Sequence, residues 1–211
     1  SAVITIAAVV FTLAASSCMA FVLARVKFRF NFAMLAVFVA ANLLPPQSLL
    51  IPVYRMFRWV QLPSWLSDSG SLLNTHAGVI LINVAFQTGF CTFVLRNYMI
   101  GLPKAMYEAA EIDGASPWRQ FLHVTLPSIA GIVTTAVLLR IIWVANSMDV
   151  IYVMTGGGPG FATHTLPLYA FLKAYSGMEF GYGSALALVL TLLLLAVVFV
   201  YVRRQSRELG R

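Results

Sequence analysis

Five long apolar stretches, nearly free of charge, constrain this chain more than any other feature. They run from about Ala2 to Leu23, Phe32 to Ile51, Ala77 to Leu95, Ile129 to about Met148, and Ser184 to Val202. A helix rises about 1.5 Å per residue, so roughly 20 residues cross the ~30 Å hydrocarbon core of a bilayer. In hydrocarbon only helices and closed barrels satisfy every backbone N–H and C=O, and none of these runs has the two-residue alternation of a barrel strand. The predicted fold is therefore an all-α membrane bundle with five visible spans. Composition agrees, since 60% of residues are hydrophobic and 10% charged, against about 25% charged in a soluble domain. The chain starts at Ser1 inside an apolar run, without an initiator methionine, so a further N-terminal span is expected ahead of it. Nothing has the form of a cleavable signal peptide.

The net charge of +7 is not gathered into the dense basic stripe that nucleic acid requires; the basic residues stand at the ends of the apolar runs. By the positive-inside rule, one orientation places Arg25, Lys27, Arg29, Arg96, Lys104, Arg119, Arg203, Arg204, Arg207 and Arg211 in the cytoplasm and leaves Arg55, Arg58 and Lys173 outside. The C-terminus is then cytoplasmic. Arg140 falls within the fourth run, where a charge costs about 2.5–3.5 kcal/mol on insertion scales; it must face the bundle, pair, or reach the inner interface. Pro45 and Pro46 should kink or break the second span. Segment 52–74, with Arg55, Arg58, Trp59 and Trp65, is expected to lie as a helix at the outer interface, anchored by its indoles. Cys18 and Cys91 sit in apolar segments and are read as packing residues.

The loop between the third and fourth spans, residues 96–127, carries the most local signal. Pro103 suits the start of a helix running through Met106, Tyr107, Ala109 and Ala110 to Ile112, and Asp113-Gly114 should end it. Ser116 can cap a second helix with Pro117 at its first position, continuing through Trp118, Phe121 and Leu122, with Leu126-Pro127 closing it. The aromatic side chains and the small Ala109 and Ala110 leave two readings open from these features: a surface for a groove on another protein, or self-packing beneath the bundle.

The run Glu108-Ala109-Ala110-Glu111-Ile112-Asp113-Gly114-Ala115, followed by Phe121 and Val124-Thr125-Leu126-Pro127, resembles the EAA loop of ABC importer permeases. Gly131 departs from it, since many relatives carry a second proline there. Asn146 through Pro159, then Thr163, Thr165-Leu166, Tyr169 and Gly181 to Ala185, are similar to carbohydrate-type, maltose-permease-like members. Leu23-Ala24-Arg25, Phe28, Pro46-Gln47 and Ile51 to Tyr54 look more like the other permease of such a pair, and Phe30-Asn31 stands where an Arg-Gly pair is usual. The resemblance covers nearly the whole chain. It implies a transmembrane subunit in a bacterial or archaeal plasma or inner membrane. Expected partners are a second permease subunit, an ABC ATPase dimer, an extracytoplasmic substrate-binding protein and lipid, with no nucleic acid. It also implies an ATPase-docking surface at Tyr107, Glu108, Ala109, Ala110, Asp113, Gly114, Ala115, Trp118 and Phe121.

There is no Gly-x-x-x-x-Gly-Lys-Ser/Thr motif, and the glycines 156–158, within the outer loop 155–183, lack the lysine that phosphate binding needs. His76, His123 and His164 lie in three separate regions and form no catalytic set. The chain is thus expected to bind no cofactor or metal, with ATP and Mg held by the partner ATPase, and to act as a non-enzymatic transport subunit. Substrate contacts should come from polar or aromatic residues of the spans: Asn83, Gln87, Trp143, Asn146, Ser147, Asp149 and Tyr152, with Phe86 as a further wall. Interhelical hydrogen bonding is the competing role for each. For Arg140 the resemblance favours a structural or gating role. An ion-driven secondary carrier is the rival function; it calls for internal repeats and intramembrane acids, and Asp149 alone is a candidate.

Overall fold

The computed structural model describes residues 2–26, 28–63 and 70–209, without the side chains of Pro46 and residues 206–209. Lys27, Trp65 and Arg211, and the Arg207 side chain, lie outside the described residues. Helices account for nearly everything: α1 (Ala2–Arg25), α2 (Asn31–Leu43), α3 (Pro46–Trp59), α4 (His76–Ile100), α5 (Lys104–Ile112), α6 (Pro117–Gln120), α7 (Leu126–Ser128), α8 (Ala130–Ala145), α9 (Asp149–Thr155), α10 (Leu166–Tyr175) and α11 (Phe180–Leu209), with a π turn at Phe121–Thr125 between α6 and α7. Among the described residues the only strand-like feature is a single antiparallel bridge, Gln61 to Ser71.

Three helices, α1, α4 and α11, are each long and apolar enough to cross a membrane, and two broken pairs bring the possible spans to 5. The second expected span is one of those pairs. It is not a single rod from Phe32 to Ile51: α2 stops at Leu43, Leu44 is extended (φ −74°, ψ 129°), and α3 starts afresh at Pro46 and carries Pro52 inside it. A residue before proline is pushed out of the helical region, and Pro45 has no N–H to continue the ladder. The helix expected from Pro52 therefore begins at Pro46, and Trp59 ends it 84% exposed. The fourth span is likewise shorter than Ile129–Met148: α8 ends at Ala145, and the chain turns by 74° between the helical run ending at Ser128 and α8.

The chain divides into two compact units. The first comprises residues 1–7, 47–82 and 138–211. Its core gathers Ile4, Val79, Ile151 and Leu168, flanked by Ile80, Met148 and Leu172. Here α10 packs on α11 so closely that a Cβ at Gly183 would stand 2.7 Å from Ala174 Cβ and 2.9 Å from the Ala170 oxygen. The second unit comprises residues 8–46 and 83–137. Ala20, Leu95, Met99, Phe121 and Ile129 form its core, with Phe21, Ala24, Leu102, Leu126, Ile132 and Val133 around them. The Ser16 hydroxyl donates to the Thr88 oxygen at 3.2 Å, a polar tie between α1 and α4 of the kind that membrane helices use.

Candidate functional site

The plug between α4 and α8 is built from local signals that the sequence displays. α5 ends in a paired 6→1 and 5→2 bond pattern: Ala115 N–H donates to the Ala110 oxygen at 2.9 Å and Gly114 N–H to the Glu111 oxygen at 3.0 Å. That closure needs a left-handed residue, and Gly114 supplies it at φ +73°. Two residues later Ser116 caps α6, its hydroxyl accepting from Arg119 N–H at 3.4 Å, with Pro117 at the first helical position. The helix then widens: Leu126 N–H reaches back five residues to the Phe121 oxygen. Pro127 explains the π turn, because its ring would clash with the oxygen four residues earlier in a regular helix.

The two faces of the plug differ. Glu108, Ala109, Glu111, Asp113, Gly114, Trp118 and Arg119 are exposed, Ala110 and Ala115 half-buried, and Ile112 is 87% exposed. Tyr107 and Phe121, expected on the docking face, lie instead inside the second unit. Phe121 joins the core and packs on Phe21 at 5.2 Å between ring centroids. Tyr107 is buried and its hydroxyl bonds Thr125 Oγ1 at 2.9 Å. Of the two readings left open by the sequence, self-packing describes Tyr107 and Phe121, while Glu108, Glu111, Ile112, Asp113 and Trp118 stay exposed. Ile112, one helical turn beyond Glu108, stands exposed beside these acidic residues.

The polar residues proposed for the pathway fall in both units. Asn83, buried, and Gln87, half-buried, belong to the second unit; Trp143, Asn146, Ser147, Asp149 and Tyr152 belong to the first. Within the first unit Asp149 Oδ2 accepts from Gln47 Nε2 at 3.0 Å, Tyr152 meets Phe171 edge-on at 5.6 Å, and Trp143 is exposed. Asn146 donates to the Ile142 oxygen at 2.9 Å and lines a groove of about 390 Å³ with Phe171, Ser184 and Thr191. An amide, two hydroxyls and an aromatic wall can engage a polyhydroxylated ring. Arg140 is buried in α8. The glycine-rich turn is closed on itself: Thr163, fully buried, donates to the Gly158 oxygen at 2.7 Å and contacts Thr155 Oγ1 at 2.7 Å. His76 bonds the Ala162 oxygen at 2.8 Å, while His164 packs on Phe161 at 5.0 Å. Cys18 and Cys91 are free thiols.

Comparison with known proteins converges on one group. The family model described as "Binding-protein-dependent transport system inner membrane component" matches residues 3–208. The trehalose/maltose transport system permease protein MalF of Thermococcus litoralis is 35% identical over 156 residues, 71% of this chain and 52% of that protein. The sulfoquinovosyl glycerol transport system permease protein SmoG of Agrobacterium fabrum is 34% identical, over 69% of this chain and 44% of that protein. The diacetylchitobiose uptake system permease protein DasB of Streptomyces coelicolor is 32% identical, over 58% and 37%. The chain thus spans about half or less of the length of the relatives it matches. In fold it is similar to a chain in the crystal structure of a bacterial alginate ABC transporter in complex with an alginate pentasaccharide-bound periplasmic protein, with a TM-score of 0.77, 15% identity, and coverage of 99% of this chain and 76% of that one.

Proposed function

We propose a function from one premise: the chain belongs to the family of binding-protein-dependent transport system inner membrane components. On that premise it is a permease subunit of an ATP-driven ABC importer. It forms part of the translocation pathway for a sugar of the disaccharide, oligosaccharide or related polyol or glycerol-phosphate class. It pairs with a second permease, receives substrate from an extracytoplasmic binding protein, and leaves ATP and Mg to a separate ATPase dimer. The relatives named for trehalose/maltose, sulfoquinovosyl glycerol and diacetylchitobiose support the substrate class.

The observation that carries the ATPase assignment is the exposed face of the plug. Ile112 and Trp118 stand in water among Glu108, Glu111 and Asp113, and a short amphipathic helix with such a face fits a groove on a partner. The distribution of basic residues supports a cytoplasmic position for this face and for the C-terminus. ATP-driven closure of the partner would move the plug, and the bundle would exchange between two arrangements, open to either side.

Purification in mild detergent followed by reconstitution tests this. An ATPase should co-purify, and vesicles should take up sugar only with ATP and the binding protein present. Glu108→Lys should leave insertion intact and abolish coupled uptake. Uptake driven by a proton gradient without any ATPase would overturn the reading in favour of the ion-driven carrier. Normal import by Glu108→Lys would remove the docking surface from it.

A further inference from the structure

The plug is gripped from within by a side chain that neither the docking face nor the pathway uses. The guanidinium of Arg25, on the last turn of α1, lies over the ring of Tyr107 with Cζ 3.1 Å from the centroid. Its Nη2 donates to the Met99 oxygen at 3.4 Å near the end of α4. Its Nε is buried without a hydrogen-bond partner. A guanidinium in this position is held mainly by the ring face beneath it, and cation–π attraction is strongest where water is excluded. Tyr107 in turn bonds Thr125. Since the Thr125 hydroxyl gives its proton to the Gln120 oxygen at 3.3 Å, the Tyr107 hydroxyl is the donor between the two. One continuous chain of contacts thus runs from α1 through α5 into the π turn that precedes α8. The α1 end is itself fixed, its Leu23 oxygen accepting from Arg96 Nε at 3.2 Å and from Asn31 Nδ2 at 2.9 Å.

We propose that Arg25 and Tyr107 are positioning residues that latch the plug to α1, so that displacement of the docking face is delivered to α1 and α4 as well as to α8. The proposal rests on the importer reading for its consequence, though not for its geometry. Without the latch, α5 remains joined to the bundle through the flanking loops and the Phe121 core. The docking face then tilts on the π turn when it is pushed, and the energy of ATP closure is dissipated locally. Coupling between distant sites is carried by packed side chains and rigid elements that have two discrete arrangements. Arg25, half-buried on α1, is not one of the exposed residues of the docking face, so its replacement leaves that surface chemically unaltered.

Two measurements on the intact complex separate the possibilities. The first is the distance distribution between spin labels at the exposed positions Val22 and Ile112. It should be narrow in the native protein, broaden in Arg25→Gln and Tyr107→Leu, and change least in Tyr107→Phe, which keeps the ring. A broad native distribution, or no change in either of the first two variants, overturns the latch. The second is ATP hydrolysed per sugar imported in reconstituted vesicles. That ratio should rise about fivefold or more in Arg25→Gln, the lower end of ordinary coupling energies. The double variant Arg25→Gln/Tyr107→Leu should add little to the more impaired single one, because both remove the Arg25–Tyr107 contact. An unchanged ratio in an assembled complex overturns the role in coupling. If the native complex shows narrow distances but no ATP-driven import, the importer reading fails and the geometric latch stands.

Discussion

The plug and α11 both expose large apolar side chains, yet the same exposure has opposite causes. Along α11, Leu188, Leu192, Leu193, Leu195, Phe199 and Val200 are each more than half exposed, and no charged residue occurs between Phe180 and Val202. Nothing there objects to hydrocarbon, which solvates the helix as water solvates a polar one. On the plug, Ile112 and Trp118 are as exposed, but Glu108, Glu111, Asp113 and Arg119 stand among them. Hydrocarbon would reject those charges, so lipid does not cover this face as it covers α11. Apolar exposure is informative only together with the charges beside it.

Lysine at one matched position in each region tests the distinction with the largest expected effect. Leu193→Lys, at the middle of α11, should disfavour membrane insertion by about 3 kcal/mol, read as the inserted fraction of the segment in a translocon assay. Ile112→Lys should leave insertion unchanged and instead weaken recovery of a bound ATPase. Equal insertion penalties at the two sites would show that the plug enters lipid, and the contrast drawn above would be lost.

Glycine gives the next contrast. At Gly183 an added Cβ runs into Ala174 and the Ala170 oxygen, whereas at Gly114 it meets nothing within 4 Å. Gly183→Ala should therefore act by overpacking, at about 2–3 kcal/mol, lowering the midpoint of thermal unfolding in detergent. Gly114→Ala should act only through its left-handed backbone, at about 1 kcal/mol. Gly114→Asn should recover part of that loss, since asparagine tolerates φ near +60°, while asparagine at Gly183 should do worse than alanine. The reverse ranking would mean that Gly114 is required for close approach to something rather than for its turn.

Local signals made the plug legible in the sequence. Gly114 and the Ser116-Pro117 pair fix where one helix ends and the next begins through bonds spanning only a few residues. The all-helical spans were equally legible from their apolar runs. The burial of Tyr107 and Phe121 was not, because what covers them comes from Arg25, Ala20, Leu95 and Met99, and no periodicity within residues 96–127 announces partners so far away in the chain. The same reason hid the bond between Gln47 and Asp149, 102 residues apart. The Pro45-Pro46 pair announces the break at Leu44 but not that Pro46 begins a helix with Pro52 inside it. A proline pair ends one helix and can serve as the first turn of another.

The smallest effect separates the plug's own stability from that of the bundle around it. Ser116 holds α6 through one bond to Arg119 N–H at 3.4 Å, long for a cap, so Ser116→Ala should cost about 0.5 kcal/mol, the low end for lost caps. In α11 a hydroxyl removal such as Thr191→Val should cost even less, since Thr191 Oγ1 only donates to the Ala187 oxygen of its own helix, which already accepts a backbone bond. Hydrogen exchange reads the difference directly: the Arg119 amide should lose about twofold in protection in Ser116→Ala, with the amides of α4 unchanged. Loss of protection spreading into α4 would mean that α6 and the bundle open together, and the plug could then no longer be treated as a separately closed unit with one face held and one face free.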